Sequence, residues 1–276
     1  MSSASLSVLT WNVNLRAAST LEALTKLPSL PDVVTLQEVK REHAAAIRER
    51  LQGMGYESAY SLQADAGEPA YGNVIAARAK LTPLDSTTFG FPYPQLVSHV
   101  SVETPAGAVN VITIHVPNGS GYGWQKIDTL DALRSMVVAL QGAPLILSGD
   151  FNEPRWAPLQ DGHVVTWGRD WDDERWTLWE KWTFDGVQGS GRRWDVAVRW
   201  FFDQEGSGLR NAFWERAGHG SMEQTHVQGG QPRWFDHIFA SPHFAVESCA
   251  YLRSFRTEGY SDHSALIAAL SYARGQ

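Results

Sequence analysis

The sequence predicts an α/β fold in which two mixed β-sheets pack face to face and carry helices on their outer sides. Three observations lead there. Short runs rich in Val, Ile, Thr and aromatics are interspersed with amphipathic stretches, without the strict βαβ alternation of a doubly wound sheet. Strand-like apolar runs stand near both ends of the chain, so the termini are expected to pair within one fold. No fixed-period repeat, linker or low-complexity tract divides the 276 residues. A single domain over 1–276 is therefore expected, a length that α/β sandwiches reach as one unit.

In chain order, strands are expected at 6–14 ("LSVLTWNVN"), 32–39 ("DVVTLQEV"), 73–78 ("NVIAAR"), 109–116 ("VNVITIHV"), 144–150 ("PLILSGD"), 235–241 ("FDHIFAS") and 264–270 ("SALIAAL"). Most are bounded by Gly, Pro, Asn or Asp. Helices are expected at 17–27, stopped before Pro28 and Pro31, at 40–52 with Gly53 as stop, and at 124–141 with Gly142 as stop. In the third, Ile127, Leu130, Leu133, Val137 and Leu140 recur at helical spacing and mark a buried face. The region 155–206 is the least regular and reads as helical or loop excursions, with "RRWDVAVRWFFDQ" its best helix. "GLRNAFWERAG" (208–218) reads as another short helix.

Composition narrows the function. Hydrophobic residues make up 43% and charged residues 19%, as in a soluble globular enzyme with a large core. No apolar run approaches the ~20 residues of a membrane helix, so no membrane association is expected. The start "MSSASLSVLTWNVN" lacks the basic segment of a secretory signal. Cys249 is the single cysteine, which rules out an internal disulfide and a cysteine-based zinc site. A cytoplasmic location is the expectation. The net charge of −7 and pI near 5.7 argue against broad electrostatic capture of nucleic acid, though not against a local basic groove or metal-assisted phosphate contact.

The strand ends carry the chemistry. Asn12 and Asn14 in "TWNVN" lie two apart, so an extended chain points both to one face. Glu38 ends "VVTLQE". Asp150 and Asn152 close "PLILSGDFN" in the same two-apart register. His115 and Asn118 close "ITIHVPN", Asp236 opens "DHIF", and Asp262 and His263 stand at a turn before the last strand. Singly, such residues are ordinary turn formers. At least five strands ending this way imply a cluster of carboxylates, amides and imidazoles. A hard divalent cation relieves the repulsion there. Mg²⁺ or Mn²⁺ prefers oxygen ligands, keeps room for water and phosphate, and lowers the pKa of bound water. The histidines add proton transfer or charge stabilisation.

With these motifs in order ("WNVN", "LQEV", "HVPN", "GDFNEP", "FDHIFAS", "SDH") the chain resembles the endonuclease/exonuclease/phosphatase superfamily over nearly its whole length. The resemblance implies a four-layer α/β/β/α sandwich, DNase I-like, with the site at one edge of the paired sheets. It assigns Glu38 as the principal metal carboxylate, with Asn12 positioning the metal or phosphate and Asp262 supporting the metal side. Asp150 would orient or deprotonate the attacking water, and Asn152 would hold the nucleophile or a phosphate oxygen. His263 would act on the scissile phosphate, with Asp236 fixing its tautomer. His115 would contact the phosphoryl group, with Asn118 nearby and Asn14 on the substrate side. His115 stands where many abasic-site nucleases have Tyr, and is closer to the DNase I and sphingomyelinase branches. Asn14 replaces an Asp of some members, and Trp234 in "PRWFDH" sits at a different offset from their "WRLDY" tryptophan.

The remaining histidines match no motif and are expected to be structural or on the surface. Arg253 and Arg256, before the "SDH" turn, are candidate phosphate contacts, as are Arg192, Arg193, Arg199 and Arg210. Eight of the 12 tryptophans lie between Trp156 and Trp200. Stacking on nucleobases is one reading. Packing against one another and the sheet is the expectation for most, because the accompanying "DWDDER" would repel phosphate. The expected activity is a divalent-metal-dependent phosphodiesterase on nucleic acid, foremost DNA, as endonuclease or exonuclease and with abasic-site action among the options. No obligate protein partner is expected. A small or lipid phosphoester substrate and a catalytically silent binding module on the same fold are the alternatives.

Overall fold

The structure is a computed structural model and describes residues 5–16, 18–62 and 68–273. Two six-stranded sheets dominate it. In spatial order the first runs Phe244–Leu252, Ala265–Tyr272, Ser5–Asn12, Val33–Lys40, Tyr71–Ala77 and Glu57–Tyr60. The second runs Arg210–Asn211, Asp236–Ala240, Leu145–Asp150, Gly107–His115, Val97–Thr104 and Leu81–Pro83. Each sheet holds one parallel pair, Ser5–Asn12 with Val33–Lys40 and Gly107–His115 with Leu145–Asp150. The other pairings are antiparallel. All seven expected strands are present, with ends moved by a few residues. The helices at Arg41–Gly53 and Trp124–Ala139 match expectation closely, and the first covers Ala18–Thr25. Position 17 of the expected helix 17–27 lies outside the described residues, as do the extreme ends of the expected domain 1–276.

Period-two alternation explains the layers. In Ser5–Asn12, Leu9 and Trp11 face outward onto helices, and in Val33–Lys40 so do Val34 and Leu36. They join Leu24 from one helix and Ile47 and Leu51 from the next. In the second sheet Ile112, Ile114, Leu145 and Leu147 face Ile127, Leu130 and Leu133 of one helix and Trp194, Val198 and Phe201 of Gly191–Phe202. The other face of each strand points at the opposite sheet: Val8, Val33, Val111, Ile146 and Ile238 meet there. The result is the expected four-layer α/β/β/α sandwich.

Along those inner faces the chemistry changes in steps. Val8 gives way to Thr10 and then Asn12, Val33 to Thr35 and Gln37, Val111 to Thr113 and His115, and Ile146 to Ser148 and Asp150. The middle step is a belt of buried hydroxyls, and the Gln37 amide beside it joins them within its own sheet and across to the other. Thr35 Oγ1 and Ser148 Oγ are 3.0 Å apart, and Gln37 Nε2 donates to Thr113 Oγ1 at 2.7 Å and to Thr10 Oγ1 at 3.1 Å. Unpaired, each buried polar group there would cost about 1–3 kcal/mol. The belt converts an aliphatic interior into a rim that can carry charge.

The region 155–206 departs from the expected helical or loop excursions. It forms two hairpins, Arg169–Asp172 with Arg175–Leu178 and Trp182–Phe184 with Val187–Gly189, before the helix Gly191–Phe202. Their turns take positive φ at Asp173 and Glu174 (43° and 65°) and at Asp185 and Gly186 (48° and 77°), the twist that closes a two-residue hairpin loop. The expected helix 208–218 shortens to Ala212–Ala217, because Arg210–Asn211 pairs with Asp236–Ala240 and Asn211 caps the helix instead.

His237 points to the outer face, against Trp234, Phe202 and Phe151. Its Nε2 lies 2.8 Å from the Glu153 carbonyl oxygen. Burial drives its pKa down to about 4. The folded state therefore binds this proton less readily than the unfolded chain. Stability from His237 is present above the unfolded value near 6.5 and is lost as pH falls towards 4. Across that window wild type should lose up to roughly 3 kcal/mol more than His237→Gln, by urea unfolding at stepped pH. Parallel pH profiles of the two proteins would contradict it.

Candidate active site

Strand register assembles the rim. His115 pairs with Asp150, and Asp150 with Asp236 on its other side, so three ionisable groups stand in one row of the second sheet. The first sheet brings Asn12 and Glu38 from its parallel pair. His263 stands at the turn before Ala265–Tyr272, where Trp11 Nε1 donates to its carbonyl at 3.0 Å and Ser261 Oγ accepts from its backbone N–H at 3.1 Å.

Local backbone aims these groups. The register shift between Leu36 and Val39 is a bulge, and Glu38 there has φ of 56°. Bulges re-aim side chains, and non-glycine residues in the left-handed region gather where geometry serves a site. Asn152 (51°) and Asn14 (46°) share that conformation. Gly149, with φ of 139°, is required: a Cβ would stand 1.9 Å from the Ile114 carbonyl oxygen. The glycine of "SGD" lets Leu145–Asp150 approach Gly107–His115 closely enough to deliver Asp150.

Asn12 is central. Its Nδ2 donates to Glu38 Oε1 and to Asp150 Oδ2, both at 2.9 Å, while its Oδ1 accepts the Asn14 backbone N–H at 2.9 Å. Asn14 thus enters the site through its main chain. Asp150 Oδ1 accepts the Asn152 N–H at 2.8 Å, and its Oδ2 lies 3.8 Å from Nε2 of both His115 and His263. His115 Nε2 is 3.5 Å from Glu38 Oε1, and Asn152 Nδ2 donates to the Val116 carbonyl at 2.9 Å. His263 Nδ1 meets Asp236 Oδ2 at 2.9 Å. Behind His263, the His226 ring stacks at 4.5 Å, and its Nε2 lies 3.5 Å from Asp262.

These contacts set the charges. Burial works to raise Asp150, but His263, His115, Asn12 and the Asn152 N–H outweigh it and hold the carboxyl below its usual range. Burial works to lower His263, and Asp236, Asp150 and Asp262 overcome it, bringing the imidazole up to about 10. Asp236 is itself raised by burial against the pull of His263. Both members of the dyad are thus shifted upward for different reasons, Asp236 by burial and His263 by the carboxylates around it. At Asp262 burial is again outweighed, by His226 and His263, and the carboxyl is held at about 2.

Not every expected residue joins this cluster. Asn118 caps the turn Gly119–Tyr122, its Oδ1 accepting from Gly121 N at 2.7 Å, and it lines a neighbouring cavity. Arg253 is exposed and bonded to Glu223, and Arg256 Nε reaches Ser264 Oγ at 3.4 Å. Three further groups were not anticipated. His226 comes from a short hairpin, His226–Gln228 with Gln231–Arg233. Lys126 and Glu153 form a buried pair beneath the loop that carries Asn152.

The donor set fits a divalent cation. Glu38, His115 and Asp150 offer atoms within 4.8 Å of one another, two of the three carboxylates. His226, Asp262 and His263 form a second such group, and Asp150, Asp236 and His263 a third. The groups present could hold a metal.

The family model described as the Endonuclease/Exonuclease/phosphatase family matches residues 9–263. Among solved structures, the chain is similar to a 3′ phosphatase, NExo, from Neisseria bound to product DNA hairpin. The TM-score is 0.67 at 21% identity, over 98% of this chain and 100% of that one. It is similar to D. rerio TDP2 complexed with single-strand DNA product, at a TM-score of 0.60 and 17% identity over 97% and 99% of the two chains. It is also similar to ANGEL2, a 2′,3′-cyclic phosphatase, at 0.65 and 16% over 98% and 96%. No curated protein matches the chain. Among the described residues, no helix is long and apolar enough to cross a membrane.

Proposed function

The chain belongs to the endonuclease/exonuclease/phosphatase family, a family of hydrolytic phosphoesterases, and from that premise we propose that it is a metal-dependent phosphodiesterase that cleaves nucleic acid, foremost DNA. The observation that carries the chemistry is the row His115–Asp150–Asp236 closed by His263 from the other sheet. Two similar structures hold DNA products, and this supports the choice of substrate.

Each residue then has a task. Glu38 is the principal ligand of a divalent cation, Mg²⁺ or Mn²⁺, with Asp150 and His115 beside it; when bound, such an ion polarises the phosphoryl group and acidifies water. Asn12 orients Glu38 and Asp150 by donating to both, so its amide positions the carboxylates in place of ligating through oxygen. Asp150, kept ionised, accepts the proton of the attacking water. His263, kept protonated, donates to a phosphoryl oxygen and stabilises its developing charge. Asp236 accepts from Nδ1 of His263, which keeps the ring protonated and turns Nε2 towards the site, and the His226–Asp262 pair braces the ring from behind. His115 and Asn152 hold phosphate oxygens.

A substrate panel tests this reading. Supercoiled plasmid, abasic-site duplex, single-stranded DNA and RNA are compared with a sphingolipid and an inositol phosphate, each with Mg²⁺, Mn²⁺ or chelator. Cleavage of a nucleic acid, abolished by chelator, is expected. Release from a small ester alone would move the substrate to that class, and inertness on every substrate with either metal would leave a binding module.

A further inference from the structure

We propose that the tryptophan-lined cavity beside the catalytic rim is a receptor for one nucleobase of the nucleotide being cleaved. The proposal rests on the nucleic-acid reading above and names what that site selects.

The cavity has a volume of about 430 Å³, within the ~300–1,000 Å³ range of small-ligand pockets. Its walls are indoles: Trp167, Trp179, Trp182 and Trp194. Trp182 stands 4.9 Å from Trp179 and 5.3 Å from Trp194, centroid to centroid, and the hairpins of 169–189 bring the group together. Asn152 lines the cavity and also lies 3.5 Å from His115 Nε2, so the pocket adjoins the phosphate-binding rim through that residue. A base attached to a sugar whose phosphate sits at Asp150 and His263 is within reach of it.

The lining selects among ligand classes. Two of its lining residues carry buried donor atoms without partners among the described residues, Trp179 Nε1–H and Arg233 Nε–H. Arg233 forms no ion pair there, and its guanidinium lies 4.8 Å over the Trp167 ring. Burial lowers its pKa. A ligand that suits this lining has flat apolar faces for the indoles and acceptor atoms at its edge for the half-buried Arg233 guanidinium. Purines and pyrimidines have both. A quaternary ammonium would suit the indoles but meet Arg233 with like charge and offer no acceptor. A bare phosphate would leave the ring faces unused. The exposed carboxylates of Asp172, Asp173 and Glu174 at the hairpin tip disfavour a continuing phosphate track on that side, so the pocket takes one base and not a strand. The base must be unstacked to enter, which favours strand ends and single strands over intact duplex.

Two measurements test the pocket. In the first, oligonucleotides carry either a normal base or a tetrahydrofuran ring at each nucleotide flanking the cut. Loss of the base on one side should lower kcat/KM roughly 5- to 150-fold through KM, the range expected for one stack. Arg233→Ala and Trp182→Ala should lose a similar factor on the base-bearing substrate and little on the baseless one. Equal cleavage of both substrates by wild type, or equal losses on both by the variants, would overturn the proposal. In the second, dAMP should quench tryptophan fluorescence saturably, more tightly than phosphocholine and at least about fivefold more tightly than to Arg233→Ala. This readout needs no turnover, so absence of nuclease activity with dAMP binding intact sinks the nuclease reading alone. Absence of saturable quenching, or tighter phosphocholine binding, sinks the pocket.

Discussion

Replacing His263 with alanine is expected to lower kcat on nucleic acid by on the order of 10³-fold, within the 10²–10⁴ range for a lost acid–base group. The ring is 6% exposed and is bonded on Nδ1 to Asp236, leaving Nε2 facing Asp150. It is held protonated up to about 10. At neutral pH it is therefore a fixed positive donor beside the carboxylate that handles water. Alanine removes that charge at the moment it is needed, while Glu38 and Asp150 keep their Asn12 bonds. KM should change less than kcat. Asp236→Asn should also lose activity, because an amide can present its N–H to Nδ1 and favour the wrong tautomer. Single-turnover cleavage beside a thermal melt is the measurement. His263→Ala retaining activity within tenfold of wild type would remove the dyad from the mechanism.

Much of this rim was legible because strands have a period of two. Val8–Thr10–Asn12 and Ile146–Ser148–Asp150 read directly as inner faces that turn from aliphatic to hydroxyl to an amide or a carboxylate. What the sequence hid was contact between distant segments. His226 has no motif of its own and acquires a place only by stacking on His263. Lys126 left a faint signal, a lysine four residues before Leu130 and seven before Leu133 on the buried helix stripe. The hairpins carried stronger ones. "FDGV" holds Asp185-Gly186, and "VQGGQP" holds Gly229-Gly230, both two-residue turn signatures. Their strands of three or four residues, rich in Trp and charge, show too little alternation to be read as strands. Arg253 and Arg256 illustrate the opposite case: proximity to "SDH" in sequence placed them near the site, but Glu223 and Ser264 hold their side chains.

Lys126→Met should destabilise the fold by roughly 3–5 kcal/mol, the cost of leaving one member of a buried ion pair alone. Lys126 Nζ lies 3.1 Å from Glu153 Oε1, and both side chains are 1% exposed. Burial pulls Lys126 down and pushes Glu153 up, each opposed by the other's charge. The same ammonium donates to the Asn152 carbonyl at 2.7 Å and so pins a residue held at φ of 51°. The variant should therefore lose activity as well as stability, since Asn152 would no longer be held against His115. The partner change separates the two effects. Glu153→Gln keeps an oxygen to accept from Trp194 Nε1, now at 2.6 Å, and removes the charge that Lys126 compensates. Combined with Lys126→Met it should restore most of the lost stability, because both charges leave the interior together. It should not restore activity, because the bond to the Asn152 carbonyl remains absent. Urea melts of the four proteins give the coupling energy directly. Strictly additive stabilities would show that the pair is not coupled, and full activity in the double variant would show that Asn152 is held by the rest of its loop.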